Sequence, residues 1–253
     1  MGALDNIRVV DFGHYVAGPV AGMLLADQGA GVIKVDPPGG PVFDSPANAT
    51  WNRGKRSICL NLKDASDRAT AKALARSADV LIENFRPGVM KRLGLDQAEL
   101  RAENPALIFA SMPGFAPEDP RSSMPAWEGV VLAATDVFRP IAEYRDMMQL
   151  LHRAPEHRVG PPVFTAEPFA SMYAALVTTV GITSALIERC ATGRGQKVEV
   201  PLFDAMIQAL GILGRAASNE ALAAANRRVK PLLDHLRRQL RLAEQGLLAE
   251  RGP

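Results

Sequence analysis

Short apolar runs alternate with helical stretches through the first 111 residues of this 253-residue chain, and that alternation leaves few folds open. IRVVDF (Ile7 to Phe12), VIKVD (Val32 to Asp36), SICLNL (Ser57 to Leu62), ADVLI (Ala78 to Ile82) and ALIFAS (Ala106 to Ser111) each have the length and composition of a buried strand. Helical patterns lie between them: VAGPVAGMLLADQGA, entered through Gly18 and Pro19, ASDRATAKALARSA, and a short one around Asp96 to Arg101. Strands that read as continuous apolar runs are covered on both faces. The expectation is an α/β fold: an open, mostly parallel, Rossmann-like sheet with helices on both sides.

The remaining segments divide the chain further. Residues 1–111 are expected to form the α/β domain, and 112–168, rich in proline and glycine, an extended connection with one helix near Trp127 to Val137. Residues 169–211 then supply a helix, the strand KVEV (Lys197 to Val200) and a further helix, PLFDAMIQALG. Residues 212–253 form an Ala/Arg/Leu tail in which Leu233, Leu236 and Leu240 share a helical face, with Arg237, Arg238 and Arg241 largely off it. The uncharged stretch Ala170 to Ile187 is only as long as the shortest membrane spans and stands alone, so it is expected to be a buried core helix, with no membrane partner.

A net charge of +2 does not favour nucleic acid as a partner. Cys59 and Cys190 have neither CxxC nor CxxH neighbours, which suggests neither a metal site nor a disulfide, and the N-terminus lacks a secretory pattern. A reducing cytoplasm is the expected location.

No GxGxxG, GxxxxGK[ST] or HExxH pattern occurs, and no Ser-His-Asp order. Candidate phosphate ligands are scattered instead: Arg86 and Arg92 flank a Pro-Gly step in ENFRPGVMKRLGL (Glu83 to Leu95), and NRGKRS (Asn52 to Ser57) adds Arg53, Lys55 and Arg56. Guanidinium forks suit phosphate oxygens. The stretch from Glu83 begins where the strand ADVLI ends, at the sheet edge where open α/β sheets take their ligands. His14 occupies the equivalent place after the first strand.

Four landmarks in order, VVDFGHYVAGPVAGMLLADQGAGVIKVD, NRGKRSICLNLK, ADVLIENFRPGVMKRLGL and ITSALIERCATGRGQKVEVPLFDA, span most of residues 7–205 and resemble the family III CoA-transferases. That group includes formyl-CoA transferase, carnitine CoA-transferase and α-methylacyl-CoA racemase. The resemblance implies a coenzyme A site in which Val16 and Ala17, with His14 beside them, line the end of the first strand. Leu60 and Lys63 would flank the adenine and phosphate end. Asn84, Phe85 and Arg86 would form the sheet-edge pocket, and Arg92 would reach a phosphate. It also implies a reaction that moves CoA from an acyl-CoA to a carboxylic acid, in which an aspartate attacks the thioester and forms an anhydride, then an enzyme-bound thioester. The resemblance further implies chains that interlock as pairs.

This sequence departs from the pattern at several points. The aspartate is expected at about Ala170 or Ser171, and the nearest carboxylate is Glu167 in FTAEPF, which becomes the candidate nucleophile. Asp36 is followed by Pro37 in place of an acidic residue and arginine, and PAWEG brings Trp127 and Glu128 where Gly-Tyr-Asp is usual. The family's small second domain is expected to be largely missing, with the helix Ala170 to Ile187 left partly uncovered. Two further readings follow: a non-catalytic CoA-ester-binding subunit, homodimeric or paired with a full-length homologue, and a racemase or isomerase with His14 as base.

Overall fold

The computed structural model describes residues 2–43, 45–135, 137 and 167–210. The tail leucines and arginines, and most of the proline-rich connection, lie outside them. Among the described residues a six-stranded sheet runs in the order β3-β2-β1-β4-β5-β6. Its strands are β1 (Arg8–Asp11), β2 (Gly31–Asp36), β3 (Arg56–Cys59), β4 (Val80–Glu83), β5 (Ile108–Ser111) and β6 (Lys197–Glu199). Every pairing is parallel, as the apolar strand patterns require. The order reverses between β1 and β4, whose register places Asp11 beside Ile82.

Alternate strand residues feed two cores. Val9, Val32, Val80, Ile82, Ile108 and Val198 face the helices α1 (Ala17–Asp27), α6 (Glu128–Ala134), α7 (Phe169–Thr192) and α8 (Leu202–Ala209). Val10, Val35, Leu81 and Phe109 face the opposite way, toward α3 (Ala65–Ser77), α4 (Val89–Arg92) and α5 (Gln97–Glu103). The α3 helix starts where Asp64 accepts hydrogen bonds from the Ser66 and Asp67 N–H groups, and Asp96 caps α5 through Ala98 in the same way. One element differs from the sequence reading: in the turn-rich PPGGPVFDSPANA, Pro46 opens a short helix, α2 (Pro46–Trp51), at the position where proline's missing N–H costs nothing.

The apolar α7 is long and apolar enough to cross a membrane by length and composition, yet 61% of its most apolar window is buried inside the protein. Ala170, Ala174, Ile182 and Ala185 lie in the core, while Phe169, Met172, Leu176, Val180 and Ile187 form an exposed apolar stripe on the other side. Gly193, with φ +70, ends the helix in the left-handed conformation, and the GRGQ turn then leads into β6.

Candidate active site

The sheet's carboxyl edge holds the candidate residues, centred where the strand order reverses. Past the end of β1 the His14 N–H donates to Asn84 Oδ1 at 2.7 Å, and Asn84 Nδ2 donates back to the His14 carbonyl at 2.8 Å. A single side chain from the β4 turn thus clamps the β1–α1 loop across the crevice. The His14 ring meets the Phe85 ring edge to face, with centroids 4.9 Å apart. The structure thus brings His14, which the resemblance set beside Val16 and Ala17, into direct contact with Asn84 and Phe85 of the sheet-edge pocket.

The loop they hold leads into α1. Val16 is its N-cap position, no side chain caps it, and Val20 is the residue whose N–H returns to the Val16 carbonyl, at 2.8 Å. An eleven-residue helix begun in this way presents backbone N–H groups and the positive end of its dipole to the crevice. Val16 and Ala17 are themselves buried, so backbone more than side chain faces a ligand there. The entry is tight: a Cβ on Gly18 would stand 2.4 Å from the Gly13 Cα, so neither glycine can gain a methyl group without moving the loop.

Electrostatics at this edge come from buried groups. Burial, and then the Lys34 ammonium, pull the His14 imidazole down to about 4 against the opposing pull of Asp11 and Asp36. It is therefore neutral at physiological pH, a hydrogen-bonding group and a weak base. Lys55 corrects the first impression of NRGKRS as a set of phosphate-seeking cations. Its Nζ is fully enclosed and donates to Asp11 Oδ2 at 2.8 Å, to the Pro19 carbonyl at 2.7 Å and to Asn52 Oδ1 at 2.9 Å. Burial lowers its pKa, and Asp11 acts in the opposite direction. Arg53 turns to Asp27, with Nε 3.1 Å from Oδ1.

The cations of the second landmark remain at the surface. Arg86 is exposed and its Nη1 donates to the Ser123 carbonyl at 3.2 Å. Exposed Arg92 folds back so that Nη1 lies 3.5 Å from where a Cβ on Gly88, at φ +80, would stand. The loop that Arg86 touches is pinned by Arg121, whose guanidinium lies 4.4 Å from the Phe115 ring centroid and 4.3 Å from that of Phe203, and is paired with Asp119. Buried Asp204 adds its field to Arg121, a structural role. Leu60 is buried in the same core cluster against which Phe85 packs, and Lys63 is exposed beyond β3.

Glu167 is exposed two residues before α7, and its carbonyl accepts the Phe169 N–H at 2.9 Å. Its carboxylate bonds to no described residue. At Ala170 and Ser171, where a family aspartate is expected, the structure supplies a different carboxylate. Glu128 Oε1 accepts the Ala170 N–H at 2.7 Å, and Oε2 accepts the Ser171 N–H at 3.0 Å and the Ser171 hydroxyl at 2.6 Å. Glu128 thus caps α7 from α6 and fixes the helix start beside Glu167.

Sequence reasoning missed that role because the partners are far apart along the chain. It also missed a group of aromatic rings: Tyr15, held at φ +59, has its ring centroid 6.0 Å from Trp127 and 6.3 Å from Phe43, which stacks on Trp51 at 5.7 Å. Both tryptophans of the chain are in this group, and its Tyr15 and Trp127 directly adjoin His14 and Glu128 in sequence.

The model described as CoA-transferase family III matches residues 4–230. A CoA-transferase/lyase DddD of Marinomonas sp. (strain MWYL1) is 43% identical over 208 residues, which cover 82% of this chain and 24% of that protein. An acetyl-CoA:oxalate CoA-transferase of Acetobacter aceti is 38% identical over 213 residues, 80% of this chain and 51% of the relative. Among solved structures, a CAIB/BAIF family protein from Brucella suis superposes with TM-score 0.73 at 31% identity, covering 86% of this chain and 58% of that one. Rv3272 from M. tuberculosis gives TM-score 0.72 at 32% identity over 84% and 57%. The chain spans about half the length of most of the curated relatives it matches.

Proposed function

The chain belongs to CoA-transferase family III, and on that premise we propose that it binds an acyl-CoA at the β1/β4 crevice and moves the CoA to a carboxylic acid. The observation that carries this reading is the clamp between Asn84 and His14. It joins two separate landmark stretches at the reversal point of the sheet, beside an uncapped helix start suited to an anion. Coenzyme A brings several phosphate charges and a flat base. Arg86 and Arg92 meet the former, and the Phe85, Leu60 and Lys63 region the latter.

In the proposed reaction a Glu167 oxygen attacks the thioester carbonyl; the C–S bond breaks, CoA leaves as thiolate, and a mixed anhydride forms. The thiolate then attacks the Glu167 side-chain carboxyl carbon, Cδ, releasing the donor acid and leaving CoA on the enzyme as a thioester. An acceptor carboxylate then attacks the Glu167 thioester carbon and expels the thiolate, forming a second anhydride. The thiolate attacks the acceptor's acyl carbon, so that the new acyl-CoA departs and the Glu167 carboxylate is restored.

Exchange of isotopically labelled acetate, succinate or formate into the matching acyl-CoA by the purified chain tests the reading, with CoA binding measured alongside. Exchange above a protein-free control is expected. Substitution of Asn84 by alanine should weaken CoA about tenfold, because the His14 N–H loses its acceptor and the loop its anchor. An unchanged Kd in that variant would remove the clamp from the binding site.

The exposed stripe on α7 favours a second reading, in which this face is covered by another chain, either a second copy or a longer homologue, and the protein acts as a CoA-ester-binding subunit in a reducing cytoplasm. CoA binding without exchange, and co-purification with such a chain, would select it.

A further inference from the structure

Glu83 ends β4 and directly precedes the clamp residue Asn84, yet the reaction above gives it no task. It is buried, with 5% of its surface exposed, and its Oε2 accepts the Phe85 N–H at 2.8 Å. That bond fixes the first step of the turn carrying Asn84, Phe85 and Arg86. The strand register continues the pattern sideways. Glu83 pairs with Ser111 on β5, and Ser111 pairs with Glu199 on β6, so two carboxylates flank one hydroxyl along the sheet's carboxyl edge. From β6, Lys197 pairs with Glu199. Toward β1 the nearest ionisable groups are Asp11, matched by Lys55, and the neutral His14 packed on Phe85.

We infer that Glu83 is a positioning residue of the CoA turn, and that it holds that turn as the neutral acid when the anionic ligand is bound. This rests on the CoA reading of the crevice. In the acid form the carbonyl oxygen accepts the Phe85 N–H while the O–H donates to the Ser111 hydroxyl, so both contacts survive and the site gains no negative charge. As a carboxylate, Glu83 sets a buried charge beneath a ligand bearing several of its own, close to Glu199. The two forms are close in free energy near neutrality. Burial raises Glu83 to about 7, against the Ser111 and Phe85 hydrogen bonds and Lys197, which favour the ion, and with Glu199, which opposes it. By linkage, a ligand that binds the neutral form better takes up a proton at Glu83, and its affinity falls as pH rises through that value.

The test is the Kd of CoA itself for the full chain between pH 6 and 8.5, in the wild type, Glu83→Gln and Ser111→Ala. Glutamine reproduces the neutral acid, with Oε1 toward Phe85 and Nε2 toward Ser111. It should bind CoA about tenfold tighter than the wild type at pH 8 and equally at pH 6. The ligand's own phosphate titration is common to both proteins and cancels. Ser111→Ala removes a donor that favours the carboxylate, so it should move the midpoint of the wild-type profile upward, a shift that a merely structural residue would not give. Should Glu83→Gln fail to fold, the Ser111→Ala shift and proton uptake on CoA binding near pH 7 decide the matter. Parallel profiles in all three proteins overturn the Glu83 inference alone, whereas absence of CoA binding at every pH overturns it together with the CoA reading.

Discussion

Replacing Glu167 by glutamine is expected to lower carboxylate exchange by about a thousandfold or more while leaving the CoA Kd and the unfolding midpoint unchanged. The amide has the shape of the acid but no anionic oxygen to attack a thioester. Because Glu167 is exposed, and because its part in starting α7 is played by its backbone carbonyl, the change should not disturb folding. Glu167→Asp provides the graded comparison. Withdrawing the carboxylate by one methylene misplaces it by about an ångström, which should cost about a hundredfold in rate with little effect on binding. Undiminished exchange in Glu167→Gln would instead point to the other carboxylate at the α7 start, Glu128. That group is committed to two N–H groups and a hydroxyl, and would have to release them to react.

The largest effect on stability is expected at Lys55. Its Nζ and the Asp11 carboxylate are both enclosed, and Asp11 also accepts the Gly13 N–H at 2.8 Å. Lys55→Met strands a charge inside the protein and leaves the Pro19 carbonyl and Asn52 without their donor, which should cost about 3–5 kcal/mol in urea unfolding. Asp11→Asn combined with Lys55→Met should recover most of that loss, since removing both charges also removes their desolvation. An additive double variant would mean that the two side chains stabilise the fold separately. The pair also serves the site: it ties the NRGK turn to the loop that carries His14.

Legibility in the sequence followed the range of the interaction. The inner strands β1, β4 and β5 were readable from runs such as RVVDF and ADVLI, because burial on both faces of a sheet leaves a local apolar signature. The edge strands β3 and β6 are largely exposed, against the buried strand expected of SICLNL, and only their alternation and flanking turns marked them. The resemblance placed His14 beside Val16 and Ala17 and put Asn84 and Phe85 in a sheet-edge pocket, but the contact between them was not foreseen, since nothing local in HYV or ENF names a partner. Lys55 was misread for the same reason. A lysine between Gly54 and Arg56 looks like surface, and only the tertiary fold turns it inward to Asp11. One signal was present, an aspartate inside the apolar run IRVVDF, which requires a buried partner. Glu128 gave no comparable sign; its partners at Ala170 and Ser171 lie beyond the long connection.

A sheet in which every strand pairs in parallel also sets the order in which this protein can assemble. None of the described strands has a hairpin neighbour with which to form early, so each ladder waits for a crossover to be laid down. Central β1 gains one flank from β2 but keeps the other open until β4 is synthesised, and β5 waits for β6, which follows the whole of α7. During synthesis the apolar α7 therefore emerges before the last strand of the sheet it covers is in place. That interval exposes apolar surface, and a chaperone or slower translation across it is expected to raise the yield of folded chain.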